Sequence, residues 1–434
     1  MAMSTEIHLP VLGETRNASR PSFALPAAAR TNSHVFHAMV KPSGAACNMD
    51  CPYCFYLHKT DLLGQSRQPR MDAQILEEHI RQYIEGQNGE EVVFSWQGGE
   101  PTLMGLPFFK TVVELQQRYR KPNQRIENDL QTNGLLIDDE WADFLRDHKF
   151  LVGLSIDGPR ELHDKYRFTK GGQPTFDRVM AAAQRLASRG VSFNVLCVVN
   201  RDIALQPLAV YRFLRQLGGI IQFTPCVEPR DFSAAAPARR DPASAPVVGT
   251  SAARPGTPDS IVTDWSVDPD DWGNFLCQVW DEWYRNDIGR VFINLFESTV
   301  AQASGLPAQM CTHAEFCGKG LAIEHNGDVY SCDHFVYPEY RLGNINETHE
   351  AQLAYSDAQK AFGFAKRDTL PTDCRQCPHL KYCWGECPKN RIIKTASGEP
   401  GLNYLCTGWK KFYSHINRDV MDIVRQLGPL PALG

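Results

Sequence analysis

The sequence predicts an α/β chain, a partial (βα)6 TIM-like barrel followed by a C-terminal cysteine-rich extension. Two observations predict it. Between residues 34 and 229, six short apolar runs alternate with amphipathic helical patterns, as in a parallel sheet. Eight of the 14 cysteines then fall between Cys311 and Cys406, outside that alternation.

Taken in order, residues 1–33 are polar and Pro/Ala-rich and read as a flexible tail. In the barrel, 34–229, strands are expected over His34–Pro42, Val92–Gly99, Arg125–Gly134, Phe150–Gly158, Ser192–Asn200 and Ile220–Glu228. Helices are expected over Asp72–Glu85, Leu106–Arg120, Asp138–His148, Thr175–Arg189 and Ala204–Leu217, with Asp72 and Asp138 as N-caps. Six repeats suit an incomplete barrel, whose chemistry belongs at the C-terminal strand ends. Residues 230–263 are rich in Ala, Pro, Ser and Arg and read as a low-complexity, mobile insertion that buries no core. A helical bridge, 264–310, carries Trp272, Phe275, Trp280 and Trp283 on one helix, Asp268–Arg285. The extension spans 311–406, and a terminal helix falls within 407–434.

The composition, 43% hydrophobic and 22% charged, is that of a globular protein. A net charge of −5 leaves no basic footprint, which argues against nucleic acid or an anionic membrane as partner. No apolar run is long enough to span a bilayer, and no secretory h-region is visible, so a cytoplasmic location is expected. In a reducing compartment 14 cysteines point to metal or catalysis rather than disulfides. Cys197, Cys226 and Cys277 stand alone among apolar neighbours and read as core residues.

Cys47, Cys51 and Cys54 form a CxxxCxxC loop directly after the first strand. Three thiolates so close suit one cubane iron–sulfur cluster, leaving one iron without a protein ligand. A structural zinc site wants four ligands, and only His58 is nearby as a fourth. The loop, with an aromatic residue before its last cysteine, resembles the signature of the radical S-adenosylmethionine superfamily. That resemblance implies S-adenosylmethionine on the open iron, cleaved reductively to methionine and a 5′-deoxyadenosyl radical. Gln97-Gly98-Gly99-Glu100-Pro101 resembles the family's GGEP motif, which holds the methionine amino group. By the same resemblance, Ser155 contacts the ribose, Arg167 the carboxylate, Tyr53 the adenine through its backbone, and Val227 the adenine's apolar face.

The eight later cysteines match the number needed by two fully ligated cubanes, or by two zinc ribbons. Their CxxCx5CxxxC run with a distant eighth cysteine resembles the SPASM extension of peptide-modifying radical enzymes. The family pattern implies three 4Fe-4S clusters in all. Cys311, Cys317, Cys332 and Cys387 hold one auxiliary cluster, and Cys374, Cys377, Cys383 and Cys406 the other.

Four stretches, Phe36–Lys59, Phe94–Met104, Gln131–Arg167 and Cys311–Phe335, resemble the anaerobic sulfatase-maturating enzymes. The resemblance implies oxidation of a Cys or Ser, in a sulfatase motif Cys/Ser-x-Pro-x-Arg, to Cα-formylglycine. It implies Asp333 as the base and a low-potential donor such as flavodoxin or ferredoxin. A different SPASM enzyme, forming a thioether or carbon crosslink in a ribosomal peptide, is the alternative; a non-catalytic zinc-ribbon module is the other.

Overall fold

The computed structural model describes residues 36–56, 58–64, 68–231 and 236–428; the expected N-terminal tail lies outside them. Six parallel strands follow one another in sheet order: β1 (His37–Lys41), β2 (Glu91–Trp96), β3 (Arg125–Thr132), β4 (Leu151–Ser155), β5 (Phe193–Val199) and β6 (Ile220–Pro225). All six expected strands are present, and the connecting helices make each step a βα unit, as in an incomplete barrel.

Local chemistry sets the helix ends. Asp72 accepts from the Ile75 amide and Asp138 from the Trp141 amide, so both expected N-caps form. The helix expected over Ala204–Leu217 is instead two, Arg201–Ala204 and Pro207–Leu214. Pro207 disfavours helical geometry in the residue before it and is suited to a first turn. The bridge helix, Pro269–Asn286, buries Trp272, Phe275, Trp280 and Trp283 completely. The terminal helix, Cys406–Leu427, crosses it where Gly408 meets Pro269 and Gly273; a Cβ on Gly408 would come within 2.2 Å of the Pro269 carbonyl oxygen. Cys197, Cys226 and Cys277 are buried in apolar clusters.

The sheet does not stop at six strands. A short β7 (Phe292–Ile293) pairs with β6, and at the other edge β8 (Gly320–Glu324) pairs in parallel with β1 along its whole length. Two antiparallel strands, β9 (Asp328–Tyr330) and β10 (Arg341–Asn344), complete a ten-stranded sheet. The cysteine-rich extension is therefore hydrogen-bonded onto the barrel's first strand.

The segment 230–263 departs from expectation. Ala236, Ala253 and Val262 are buried, Val247 bridges to Lys394, and the Thr263 amide donates to the Glu228 carbonyl at 2.9 Å. Arg254 reaches Asp268 and Asp270, and Arg240 donates to the Lys389 carbonyl at 2.8 Å. Composition underrated it because its backbone groups pair in turns within the segment and its arginines reach acceptors on neighbouring elements, neither of which needs apolar side chains.

Candidate active site

The loop after β1 and the loop after β2 are stitched together. The Gly99 amide donates to the Gly44 carbonyl and the Glu100 amide to the Ala46 carbonyl, each at 2.8 Å. Gly98 has φ +126°, and a Cβ on Gly99 would lie 2.0 Å from the Ala46 carbonyl oxygen. Only glycine allows this approach. Pro101 follows, buried at the head of the turn Pro101–Met104.

Glu100 faces inward. Its carboxylate accepts from the Thr102 amide (3.0 Å) and hydroxyl (2.6 Å), the Thr132 hydroxyl (2.8 Å) and the Asn133 amide (2.8 Å). It bolts the end of β2 to the end of β3, with Gly98 and Gly99 half-buried beside it. Asn133 in turn donates to the Cys47 sulfur at 3.7 Å and to Asn48 at 2.7 Å.

Cys47, Cys51 and Cys54 pack around Met49, Tyr53 and Cys226. Burial pushes the Cys47 thiol up to about 12, with Glu100 and Cys54 adding to it. Burial also raises Cys51, against the pull of the Arg167 guanidinium. Such thiols ionise on meeting a metal, so ligation releases their protons. Arg167 is itself buried and held by Asp157 through two contacts of 2.8 and 3.2 Å. Asp157 also accepts from the Tyr53 hydroxyl and from the Val198 amide. Arg167 is therefore anchored beside the first cysteine loop. Ser155, at the end of β4, accepts from the Gln131 side chain at 2.9 Å, and Val227 is buried just beyond β6.

In the extension the thiols fall into two sets. Burial raises Cys311, Cys317, Cys332, Cys374, Cys383, Cys387 and Cys406, and neighbouring thiols raise several of them further: Cys317 feels Cys311, Cys332 feels Cys387 and Cys311, and Cys387 feels Cys317 and Cys311. Separately, Cys383 feels Cys406 and Cys374, and Cys406 feels Cys374 and Cys377. Among the described residues, no group of three or more His, Cys, Asp or Glu surrounds a single-ion position. Cys374, Cys377, Cys383 and Cys406 instead line one cavity with Leu380, Trp409 and Tyr413. Four thiols around one cavity fit a polynuclear cluster. The Cys383–Cys387 link is shaped by three consecutive left-handed residues, Trp384, Gly385 and Glu386.

Residues 42–207 match the radical SAM superfamily, and residues 311–378 match an iron–sulfur cluster-binding domain. A serine-type anaerobic sulfatase-maturating enzyme of Bacteroides thetaiotaomicron is 43% identical over 398 residues, 90% of this chain and 91% of that protein. The chain belongs to the anaerobic sulfatase-maturating enzymes. A cysteine-type member from Clostridium perfringens is 32% identical, across 90% of this chain and 98% of its own. A solved structure described as native anSMEcpe with bound AdoMet and Cp18Cys peptide superposes with TM-score 0.76 at 30% identity, covering 90% of this chain and 99% of that one. As a family member the chain is a radical SAM oxidoreductase that uses iron–sulfur clusters and S-adenosylmethionine. None of its described helices is long and apolar enough to cross a membrane.

Asp333 lies directly after Cys332 and forms an ion pair with Lys41, the last residue of β1. Burial raises the Asp333 carboxyl, but Lys41, His334 and Lys59 outweigh it and hold it below the usual carboxylate range. His334 turns away toward the Cys387 sulfur, 3.4 Å from its Nδ1.

Sequence reasoning missed several supporting residues. Lys41 and Asp157 are separated in sequence from the groups they hold. Lys366, on the helix Asp357–Asp368, is buried and donates to the Cys311 and Thr312 carbonyls at 2.8 Å. Arg391 donates to the Trp384, Gly385 and Lys366 carbonyls. Both place positive charge among the extension's thiols, which favours their thiolate forms. Nothing in a one-dimensional pattern separates these cations from solvated ones.

Proposed function

We propose that the chain oxidises the Cys or Ser of a sulfatase Cys/Ser-x-Pro-x-Arg motif to Cα-formylglycine. The carrying observation is the Lys41–Asp333 ion pair. It sets the carboxylate of the extension at the strand end from which the CxxxCxxC loop departs.

Cys47, Cys51 and Cys54 would hold the first 4Fe-4S cluster, Cys311, Cys317, Cys332 and Cys387 the second, and Cys374, Cys377, Cys383 and Cys406 the third. When bound, these clusters and S-adenosylmethionine supply a 5′-deoxyadenosyl radical that takes a substrate Cβ hydrogen, and an outlet for the second electron. The Gly98–Gly99 backbone would meet the methionine amino group, with Glu100 and Pro101 holding that backbone in place, and Arg167 and Ser155 would meet the carboxylate and ribose. Tyr53, through its backbone, and Val227 would flank the adenine. Asp333 accepts the thiol or hydroxyl proton, and Lys41 keeps it ionised for that task. Serine then gives the aldehyde directly, whereas cysteine gives a thioaldehyde that water hydrolyses with release of sulfide.

A low-potential donor such as flavodoxin or ferredoxin supplies electrons, in the reducing cytoplasm where free thiols persist. No nucleic acid or membrane partner enters, in keeping with the net charge of −5. The test is anaerobic incubation with reductant, S-adenosylmethionine and a synthetic sulfatase-motif peptide, read by mass spectrometry. Formylglycine at the motif residue is the expected product. A thioether or carbon crosslink instead would move the chain to another peptide-modifying chemistry.

A further inference from the structure

Lys59 opens the short helix Lys59–Leu62 that follows the first cysteine loop. It is 1% exposed, and its Nζ has no hydrogen-bond acceptor. An ammonium carries three donors, and burying it without acceptors is costly. The Tyr337 ring, whose centroid lies 3.1 Å from Nζ, supplies a cation–π contact but no acceptor oxygen.

The charged and titratable groups facing Lys59 come from several elements: Lys389 beyond Cys387, Asp333 and His334 beyond Cys332, Glu339 in the turn Pro338–Tyr340, Glu228 beyond β6, Glu324 at the end of β8, and the adjacent His58. Each of the four carboxylates already has a partner. Asp333 pairs with Lys41, Glu228 with Lys389 at 2.5 Å, Glu339 with Arg239, and Glu324 accepts from the Tyr56 hydroxyl. Lys59 is thus a cation in a well-matched set with no acceptor of its own. Its position is informative. It lies within electrostatic reach of Asp333, the group assigned above to the proton, and of Glu228, the chain neighbour of Val227.

We propose that Lys59 is a substrate-binding residue whose ammonium donates a hydrogen bond to an oxygen of the sulfatase peptide at the residue being oxidised. The inference rests on the formylglycine reading above, which brings the peptide to Asp333. Burial, reinforced by Lys389, lowers the Lys59 pKa to about 7, against the upward pull of Asp333, Glu228 and Glu324. The free enzyme is therefore poised to lose the positive charge of this donor as pH rises through neutrality, and a peptide oxygen would hold the proton in place.

The test compares wild type with Lys59→Met, which keeps an unbranched stem and removes the donor. Iron content and peptide-free cleavage of S-adenosylmethionine should match wild type. The KM for a sulfatase-motif peptide should rise about tenfold to a hundredfold, the range for hydrogen bonds to charged groups. The wild-type KM should climb above about pH 7, and that of Lys59→Met should stay flat. An unchanged KM in a variant that still forms formylglycine would overturn the assignment. So would loss of iron, which would mean that Lys59 supports the fold. If Lys59→Met does not fold, Lys59→Leu gives the same comparison, and a shared failure to fold counts against the proposal. A wild-type enzyme that forms no formylglycine from any such peptide would overturn the proposed function itself.

Discussion

Lys41 and Asp333 form a buried ion pair that joins the barrel's first strand to the turn after Cys332. Lys41 is 1% exposed and Asp333 14%, so neither charge is shared freely with water. The pair holds the carboxylate proposed as the base and ties the extension to the barrel.

Breaking the pair on one side should cost more than removing both charges. Loss of one partner of a buried pair costs about 3–5 kcal/mol, because the remaining charge is uncompensated. Lys41→Met should therefore lower the melting temperature of the anaerobically purified protein. The double variant Lys41→Met/Asp333→Asn should recover most of that loss. Additive losses in a thermal-unfolding cycle would show that the two residues act independently.

Asp333→Asn alone should separate the two activities. Hydrogen abstraction precedes proton removal, so 5′-deoxyadenosine should still form. Formylglycine should fall by about 10²- to 10⁴-fold, the usual weight of a general base. A near-normal yield would exclude Asp333 as the base. Loss of both activities would make it a support for the Cys332 loop.

Gly99→Ala should disable the first cluster without unfolding the chain. Its Cβ would lie 2.0 Å from the Ala46 carbonyl oxygen and 2.5 Å from the carbonyl carbon, both backbone atoms of the cysteine loop. Iron should drop by about one cluster in three, and cleavage of S-adenosylmethionine should cease. Gly89→Ala, where the nearest atom is 3.7 Å away, is the matched control.

The grouping of the eight later cysteines is open to a counting experiment. Replacing Cys374 and Cys383 together by Ala strikes one set, and iron should fall by about four of twelve. Replacing Cys317 and Cys383 strikes both sets, and iron should fall by about eight of twelve. Equal losses from the two pairs would contradict the partition.

Much of this was legible before any coordinates. Strands covered on both faces read as apolar runs, and β2, β4 and β5 did so, whereas β3 is polar along most of its length. The aromatic face of the bridge helix and the caps at Asp72 and Asp138 were equally plain. Strand β8 was not, because Gly320–Glu324 lies among cysteines and is one short run without a following helix. The helix Asp357–Asp368 was missed for its polar composition, although it buries Gly363 against the Cys317 carbonyl. At the site, local motifs showed the thiols and the Gly-Gly turn. Of the residues that hold them, Lys41, Asn133 and Lys366 act across long sequence separations, where spacing carries no signal, and Asp157 and Arg391 reach nearer partners through bonds that no spacing rule marks.

The pairing of β8 with β1 bears on how this protein could be dissected. A chain cut before Cys311 would not be a simpler radical enzyme. It would carry its first strand as a raw border, with the backbone donors and acceptors that now face Gly320–Glu324 left open to any other chain. Such a fragment should clump rather than persist as a monomer, and shielding that border would be the first requirement for making it soluble.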